Sequence, residues 1–457
     1  MTSSTLSTIS TEWDTVRLGD ALTLINGRAF KPAEWSETGL PIVRIQNLNN
    51  PDAPFNYYEG TLPEKFLLNT GDLLFAWSGT PGTSFGAHIW RGKKACLNQH
   101  IFKIKFDEKE FDKRFLQFAI NQNLQDYIFQ AHGGAGLAHI TKGKFENSEL
   151  PKPPLGIQRD IVAEIEKQFS RLDEAVANLK RVKANLKRYK AAVLKAAVEG
   201  RLVETEAELA RREGRSYETA AQQLQRFIET RRSQWKGKGK YKEPVTPDTY
   251  DLPELPDGWV WASFESLIAD GPQNGLYLPK SLYGIGHPIL RIDDYQQDWI
   301  RPVAELKRVR AKTEDVKVYS LRKGDLVINR VNSPTHLGKV AVWIAEPEMP
   351  MFESNMMRIR LAPGVDPFYV AMYLRSVDGR VRLTKQAKWA VNQASINQQD
   401  VCNTQIPLPP VIEQCRVVAE VERRFSIIRE IESQVGDNLK RAESLRQAIL
   451  KNGFMYK

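Results

Sequence analysis

Cysteine is scarce in this 457-residue chain. The three present, Cys96, Cys402 and Cys415, are scattered and odd in number, so no disulfide framework is expected and a reducing cytoplasm fits. No apolar run is long enough to span a bilayer, and the amino terminus lacks the charged-then-apolar order of a secretory signal. The six histidines and three cysteines form no C-x-x-C or H-x-x-x-H pair, which argues against a structural zinc. There is no G-x-x-x-x-G-K-[ST] phosphate cradle, and no N/D-P-P-Y/F tetrapeptide of the kind that holds an extrahelical adenine. The glycine-rich stretch 132–139 (HGGAGLAH) lacks G-x-G-x-x-G order and reads as a surface loop. One catalytic pattern survives: Asp293 with Glu305 and Lys307 as the acidic and E-x-K parts of a metal-dependent nuclease. Solvated loop charges are the commoner meaning of such a triplet.

What is present is positive charge, length and repetition. Lysine plus arginine outnumber aspartate plus glutamate 65 to 55 and the pI is about 9.3, which favours a polyanionic partner. The chain is long enough for two or three domains with their own cores.

The strongest signal is a duplicated helix. In residues 156–203, apolar side chains recur at Ile165, Phe169, Leu172, Val176 and Leu179. After a three-residue step they resume at Val182, Leu186, Tyr189, Val193 and Ala196. Steps of three and four keep one narrow stripe on one side of a helix, as in a coiled-coil seam, and so thin a stripe needs a partner. Residues 411–457 supply it, with Val421, Phe425, Ile428, Val435, Leu439, Leu445 and Ile449 on the expected seam. Gln158 matches Gln414, Phe169 matches Phe425, and Leu194-Lys195 matches Leu450-Lys451, all at one constant offset. Similar lead-ins precede the helices, LPKPPL at 150–155 and IPLPPV at 406–411, which marks an internal duplication.

The remaining segments repeat as well. Residues 1–12 read as a disordered lead, and residues 13–155 as a first module with short β-rich runs and helical texture at 111–130. Residues 257–410 follow the same plan: PILRI at 288–292 answers PIVRI at 41–45, and GDLVI at 324–328 answers GDLLF at 71–75. Ile396 sits where Ile140 sat relative to its helix, while the loops between framework residues differ freely. Residues 204–256 read as a linker, first helical around 218–229, then flexible and basic, with six positive charges and no acid in 231–242.

Two dissimilar modules, each closed by a P-P-x-x-x-Q lead-in and a long helix, resemble the specificity subunit of type I restriction-modification systems over residues 13–454. The resemblance implies an α+β chain in which two similar α/β target recognition domains are separated by a long antiparallel two-helix coiled coil, with approximate internal two-fold symmetry. It implies a cytoplasmic, non-catalytic subunit without a cofactor of its own, whose domains read the halves of a gapped double-stranded DNA target. Two adenine-N6 methyltransferase subunits using S-adenosylmethionine would dock on it, and restriction subunits using ATP and magnesium would join through them. The first helix continues into GRLVETE whereas the second ends in LKNGFMYK, so docking at that end is expected to differ. About 40 helical residues rise roughly 60 Å, enough to hold two readers over grooves a turn of DNA, roughly 34–36 Å, or somewhat more apart.

On that resemblance, the expected DNA contacts are polar and basic residues in the divergent loops. In the first domain these are Trp77, Ser78, Thr80, Arg91, Lys93, Lys94, His100, His139 and Lys142. In the second they are Asn274, Tyr277, Lys280, Arg330, Asn332, Ser333, His336, Lys339, Lys385, Lys388, Asn392 and Gln393. Arginine and lysine suit guanine edges, asparagine and glutamine suit adenine, and solvated loop positions are the bland alternative. The helix cations Lys180, Arg181, Lys183, Lys187, Arg188 and Lys190 would face spacer phosphates or simply solvent. A stand-alone nuclease and a protein-only coiled-coil scaffold are the competing readings.

Overall fold

The computed structural model describes residues 13–454 except 51, 80–83, 125–126, 128–137, 236, 238–239, 297–298, 345–348 and 392. The lead 1–12, residues 132–137 of the glycine-rich stretch, Thr80 and Asn392 lie outside the described residues. The chain divides into two compact units, residues 1–181 with 435–457 and residues 182–434. Each boundary falls inside a long helix, because both helices bury part of their length against the module beside them.

In the first unit, a four-stranded antiparallel sheet runs in the order Thr23–Asn26, Ile101–Lys105, Leu73–Ala76, Gly86–Ile89. Leu73, Leu74, Phe75 and Ala76 are all buried, unlike a strand with one wet face. Period-two alternation explains this: Leu73 and Phe75 enter one core with Phe115 and Phe145, while Leu74 enters another with Val43, Leu68 and Trp90. A second sheet contains a parallel pairing, Ile42 with Cys96 and Val43 with Leu97.

The second unit repeats this arrangement. Its sheet runs Ile268–Asn274, Met356–Leu361, Leu326–Asn329, Val340–Val342, and Ile289 and Leu290 pair in parallel with Met351 and Phe352. The repeated G-D of the two modules has a local cause. Gly71 and Gly324 both take positive φ (93° and 87°) at the turn into the central strand. The following aspartate closes that turn, Asp72 accepting from the Asn69 N–H and Asp325 from the Arg322 N–H, each at 2.8 Å.

The long helices are Leu155–Val198 and Val411–Gly453. They pair antiparallel within each unit. In the first, Asp173 bonds Arg446, whose guanidinium lies 4.6 Å from the Phe169 ring, while Gly453 lies against Ile165. In the second, Lys190 pairs with Glu432 at 3.0 Å, and Val193 and Ala197 pack in one core with Val417, Val421 and Phe425. Three positions of the expected stripe are corrected. Leu445 is 49% exposed, and Ala442 packs instead; Val182 (40%) and Tyr189 (47%) are exposed as well. The seam keeps its unbroken three-four spacing through 428, 432, 435, 439, 442, 446 and 449, so Glu432 and Arg446 occupy seam positions that an apolar count passes over. Lys190 is likewise a seam residue, held by Glu432, rather than an outward cation.

The helix expected around 218–229 is present, but the reading of a loose linker is corrected. Residues 204–233 hold two capped helices, Glu206–Glu213 and Ala220–Ser233, each opened by a threonine capping box. Ala220 and Phe227 enter the core of the second unit. Glu206, only 1% exposed, accepts from Arg215 and Arg416 at 2.6 Å each, and its backbone N–H donates to Glu413. Burial by itself would raise the Glu206 carboxyl, but the hydrogen bonds and charges of Arg416 and Arg215 outweigh it and hold it below its ordinary value. A depressed pKa places this stabilisation above the unfolded-chain value near 4.5 and removes it as pH falls through the folded value. Glu206→Gln is therefore expected to destabilise the second unit by about 1–3 kcal/mol at pH 7, since both arginines are partly solvated. Thermal melts from pH 7 down to about 3.5 should show the deficit shrinking below pH 4.5; a constant deficit would refute the ionic origin.

Candidate nucleic-acid interface

At the carboxyl end of each central strand the chain crosses into a small second ladder. In the first unit Ser78–Gly79 pairs with Ala138–His139, and in the second Val331–Asn332 pairs with Ala394–Ser395, which also pairs with Lys388–Trp389. The residue at the crossing is Trp77 in one and Arg330 in the other. Their equivalence is structural: the N–H of Trp77 donates to the His100 carbonyl and that of Arg330 to the Asn355 carbonyl. Their own carbonyls accept from Ile140 and Ile396 respectively.

Around Trp77 the first unit gathers three of its candidates. The indole stacks on Phe102, meets His139 edge-on at 4.6 Å and lies 5.2 Å from His100. Among the described residues the indole Nε1 and the His100 Nδ1 have no hydrogen-bond partner. Burial, then the charges of His139 and Arg44, hold the His100 imidazole below its ordinary pKa, so it is neutral at pH 7. Ser78 adjoins this cluster, and Lys142 opens the next helix with its ammonium 3.4 Å from Glu146. Arg91, Lys93 and Lys94 are exposed but sit elsewhere. They follow Ile89, which pairs with Leu73, whereas Trp77 follows Ala76, so they occupy the opposite end of the sheet.

Around Arg330 the second unit gathers more. Asn332, Ser333, Lys388 and Gln393 lie on or beside the three-stranded ladder, and exposed Asn274, opposite Met357, ends its strand at the same edge. The Arg330 guanidinium donates one N–H to the Ser354 carbonyl at 3.1 Å, while its buried Nε has no partner among the described residues. His336 is exposed in the turn after Ser333, and Lys339 donates to Gln296 at 2.9 Å. Burial, followed by nearby Arg380, lowers the Lys339 pKa. Lys385 is exposed beyond the helix Val377–Leu383, and Tyr277 and Lys280 are exposed on a separate segment before Tyr283. Arg380, which donates to the Thr335 carbonyl at 2.6 Å, and exposed Trp389 were missed from sequence. An exposed tryptophan beside Lys388 was the available signal for the latter.

The acidic triplet makes no metal centre. Asp293, Glu305 and Lys307 are exposed, the buried neighbour Asp294 is committed to Arg301, and Glu305 lies 3.6 Å from the same arginine. Among the described residues no three histidine, cysteine, aspartate or glutamate side chains are placed to hold a metal ion, and no helix is long and apolar enough to cross a membrane.

Comparison with known proteins points one way. Residues 10–188 match the type I restriction modification DNA specificity domain. The specificity subunit of the Escherichia coli type I restriction enzyme EcoBI is 26% identical over 98% of this chain and 87% of its own length. That of EcoKI, from Escherichia coli strain K12, is 23% identical over 97% and 88%. Among solved structures, a chain from work on assembly and conformational transition of the type I R-M system aligns with a TM-score of 0.62 at 19% identity, covering 97% of both chains. The HsdS subunit from Thermoanaerobacter tengcongensis aligns at 0.51 and 19%, covering 99% and 98%.

Proposed function

We propose that this chain belongs to the specificity-subunit family of type I restriction-modification systems and works as follows. Each module reads one half of a gapped duplex sequence with the strand end that carries Trp77 or Arg330. The paired helices set the gap. The chain itself catalyses nothing; two adenine-N6 methyltransferase subunits with S-adenosylmethionine dock on it, and restriction subunits with ATP and magnesium join through them. One observation carries the reading: a single framework is built twice with unlike side chains at the same crossing, an aromatic–histidine cluster in one and an arginine–asparagine set in the other. Two readers of one geometry and different chemistry suit a target whose halves differ. The net charge of +10 supplies the sequence-independent attraction to phosphate.

The test is to produce the full chain with its methyltransferase partner and map methylated adenines genome-wide. The expected result is one two-part sequence with a constant gap, and DNA affinity of the complex that falls linearly with salt on logarithmic axes. Absence of salt-sensitive DNA binding, with and without the partner, would leave a protein-only scaffold. Cleavage by the chain alone with magnesium, abolished by Glu305→Ala, would instead establish the nuclease.

A further inference from the structure

The duplication supplies an internal comparison at a second arginine. Arg44 follows the strand Leu40–Val43, and Arg291 follows the strand Tyr283–Leu290. Both strands make the same parallel pairing, Val43 with Leu97 and Leu290 with Phe352, so Arg44 is set beside position 98 and Arg291 beside position 353. In the second module that position is Glu353, 8% exposed. Its carboxylate accepts from the Arg291 Nε at 3.1 Å and from the Ile292 N–H at 2.7 Å, so this guanidinium is neutralised within the fold. In the first module the position is Asn98, whose side-chain oxygen is occupied by the Gln99 N–H at 2.9 Å. Among the described residues no carboxylate pairs with Arg44. Among the described residues its guanidinium makes no ion pair and no hydrogen bond; it lies 5.8 Å from the Trp35 ring, and its charge reaches His100.

Arg44 also stands in a concavity. A pocket of about 220 Å³ is lined by Trp35, Arg44, Gln46, Gln99 and His100 among others. His100 belongs at the same time to the Trp77 cluster, so the pocket adjoins the strand end assigned to DNA. Arg44 is half-buried and faces this pocket, so an acceptor entering it would replace water on a guanidinium that has no internal counter-charge among the described residues. Its surroundings narrow the acceptor. A ring beside the guanidinium limits its orientation, two glutamines share the lining of the pocket, and a planar fork of donors matches O6 and N7 of guanine. Given the DNA-reading function proposed above, the geometry points to Arg44 as the residue with which the first module reads a guanine in its half-site. In the second module the matching guanidinium is held by Glu353 instead.

Two substitutions in the full chain, produced with its methyltransferase partner, test this. Arg44→Gln removes the fork. Asn98→Glu places beside Arg44 the carboxylate that Glu353 provides to Arg291. Both should relax one guanine position in one half of the methylated sequence, discrimination there falling roughly five- to 150-fold, while the other half stays strict. The strict half doubles as proof of folding. If both variants keep the wild-type sequence, Arg44 reads nothing. If binding to duplexes randomised in one half falls evenly for every sequence, with the salt slope shallower by about one, Arg44 contacts a phosphate and the guanine assignment fails. Where methylation is lost altogether, that same binding assay decides between relaxed and even loss. A wild-type chain that directs no two-part methylation at all overturns the parent function instead.

Discussion

Adding seven residues to both long helices is expected to lengthen the unread gap of the target by about three base pairs, with both half-sites unchanged. Seven residues rise roughly 10 Å, and a base pair of B-DNA occupies about 3.4 Å. The number seven follows from the seam. Its three-four spacing continues unbroken through Glu432 and Arg446, so a whole heptad returns every seam residue to the same side of its helix. Suitable places are between Leu179 and Leu186 in the first helix and between Val435 and Leu439 in the second, clear of the Lys190–Glu432 and Asp173–Arg446 pairs. The insertion must be made twice. In one helix alone it displaces one member of either ion pair by two turns, and lowered thermal stability is the expected control result. Methylation mapping reads the gap directly, and an unchanged gap in the double insertion would show that the helices do not set the spacing.

Replacing the glutamine that begins each long helix should be the most damaging change to stability. Gln158 is fully buried; its side-chain oxygen accepts from the Asp112 N–H, and its amide donates to the Glu110 and Pro153 carbonyls, all at 2.8 Å. Gln414 repeats this, accepting from the Asp366 N–H and donating to the Pro409 carbonyl, each at 2.9 Å. Asp112 and Asp366 in turn cap the module helices Lys113–Gln122 and Pro367–Arg375. One amide thus fastens the proline lead-in, the start of the long helix and the cap of a module helix. Leucine fills the space but orphans buried backbone groups, at a cost of about 1–3 kcal/mol per group with partial relief by relaxation. We expect Gln158→Leu to lose about 2–4 kcal/mol and Gln414→Leu somewhat less, since it strands fewer groups. In a unit of this size that lowers Tm by roughly 5–12 °C. A loss under about 2 °C in calorimetry would show that water or rearrangement replaces the amide.

The spacing P-P-x-x-x-Q was visible in the sequence, and its cause was not. The glutamine's partners lie 46 and 48 residues away, and no local pattern records them. The same holds on the seam. Counting apolar residues selects Leu445 and passes over Glu432 and Arg446, because a charged side chain counts as polar until an opposite charge or an aromatic face across the helix pair accommodates it. Residues 204–233 read as a linker because their helices are mostly polar outside; Glu206 is buried with Arg215 and with Arg416, 210 residues away, against its carboxylate.

The candidate interface divides in the same manner. Trp77, Arg330, Asn332 and Lys388 were legible as polar or aromatic residues where the duplicated framework breaks off. Their grouping was not, nor was the placing of Arg91, Lys93 and Lys94 at the far end of their sheet, which depends on strand register. By itself the sequence determined the duplication, the two long helices and their need for a partner, since these are written in periodicity and repeated spacing. Only the tertiary structure decided which charges are spent inside the fold and which stay available, as Arg291 and Arg44 show. The physical reason is that a charge is neutralised by whatever lies a few ångströms away in space, and pairing across strands brings together residues that the chain keeps far apart.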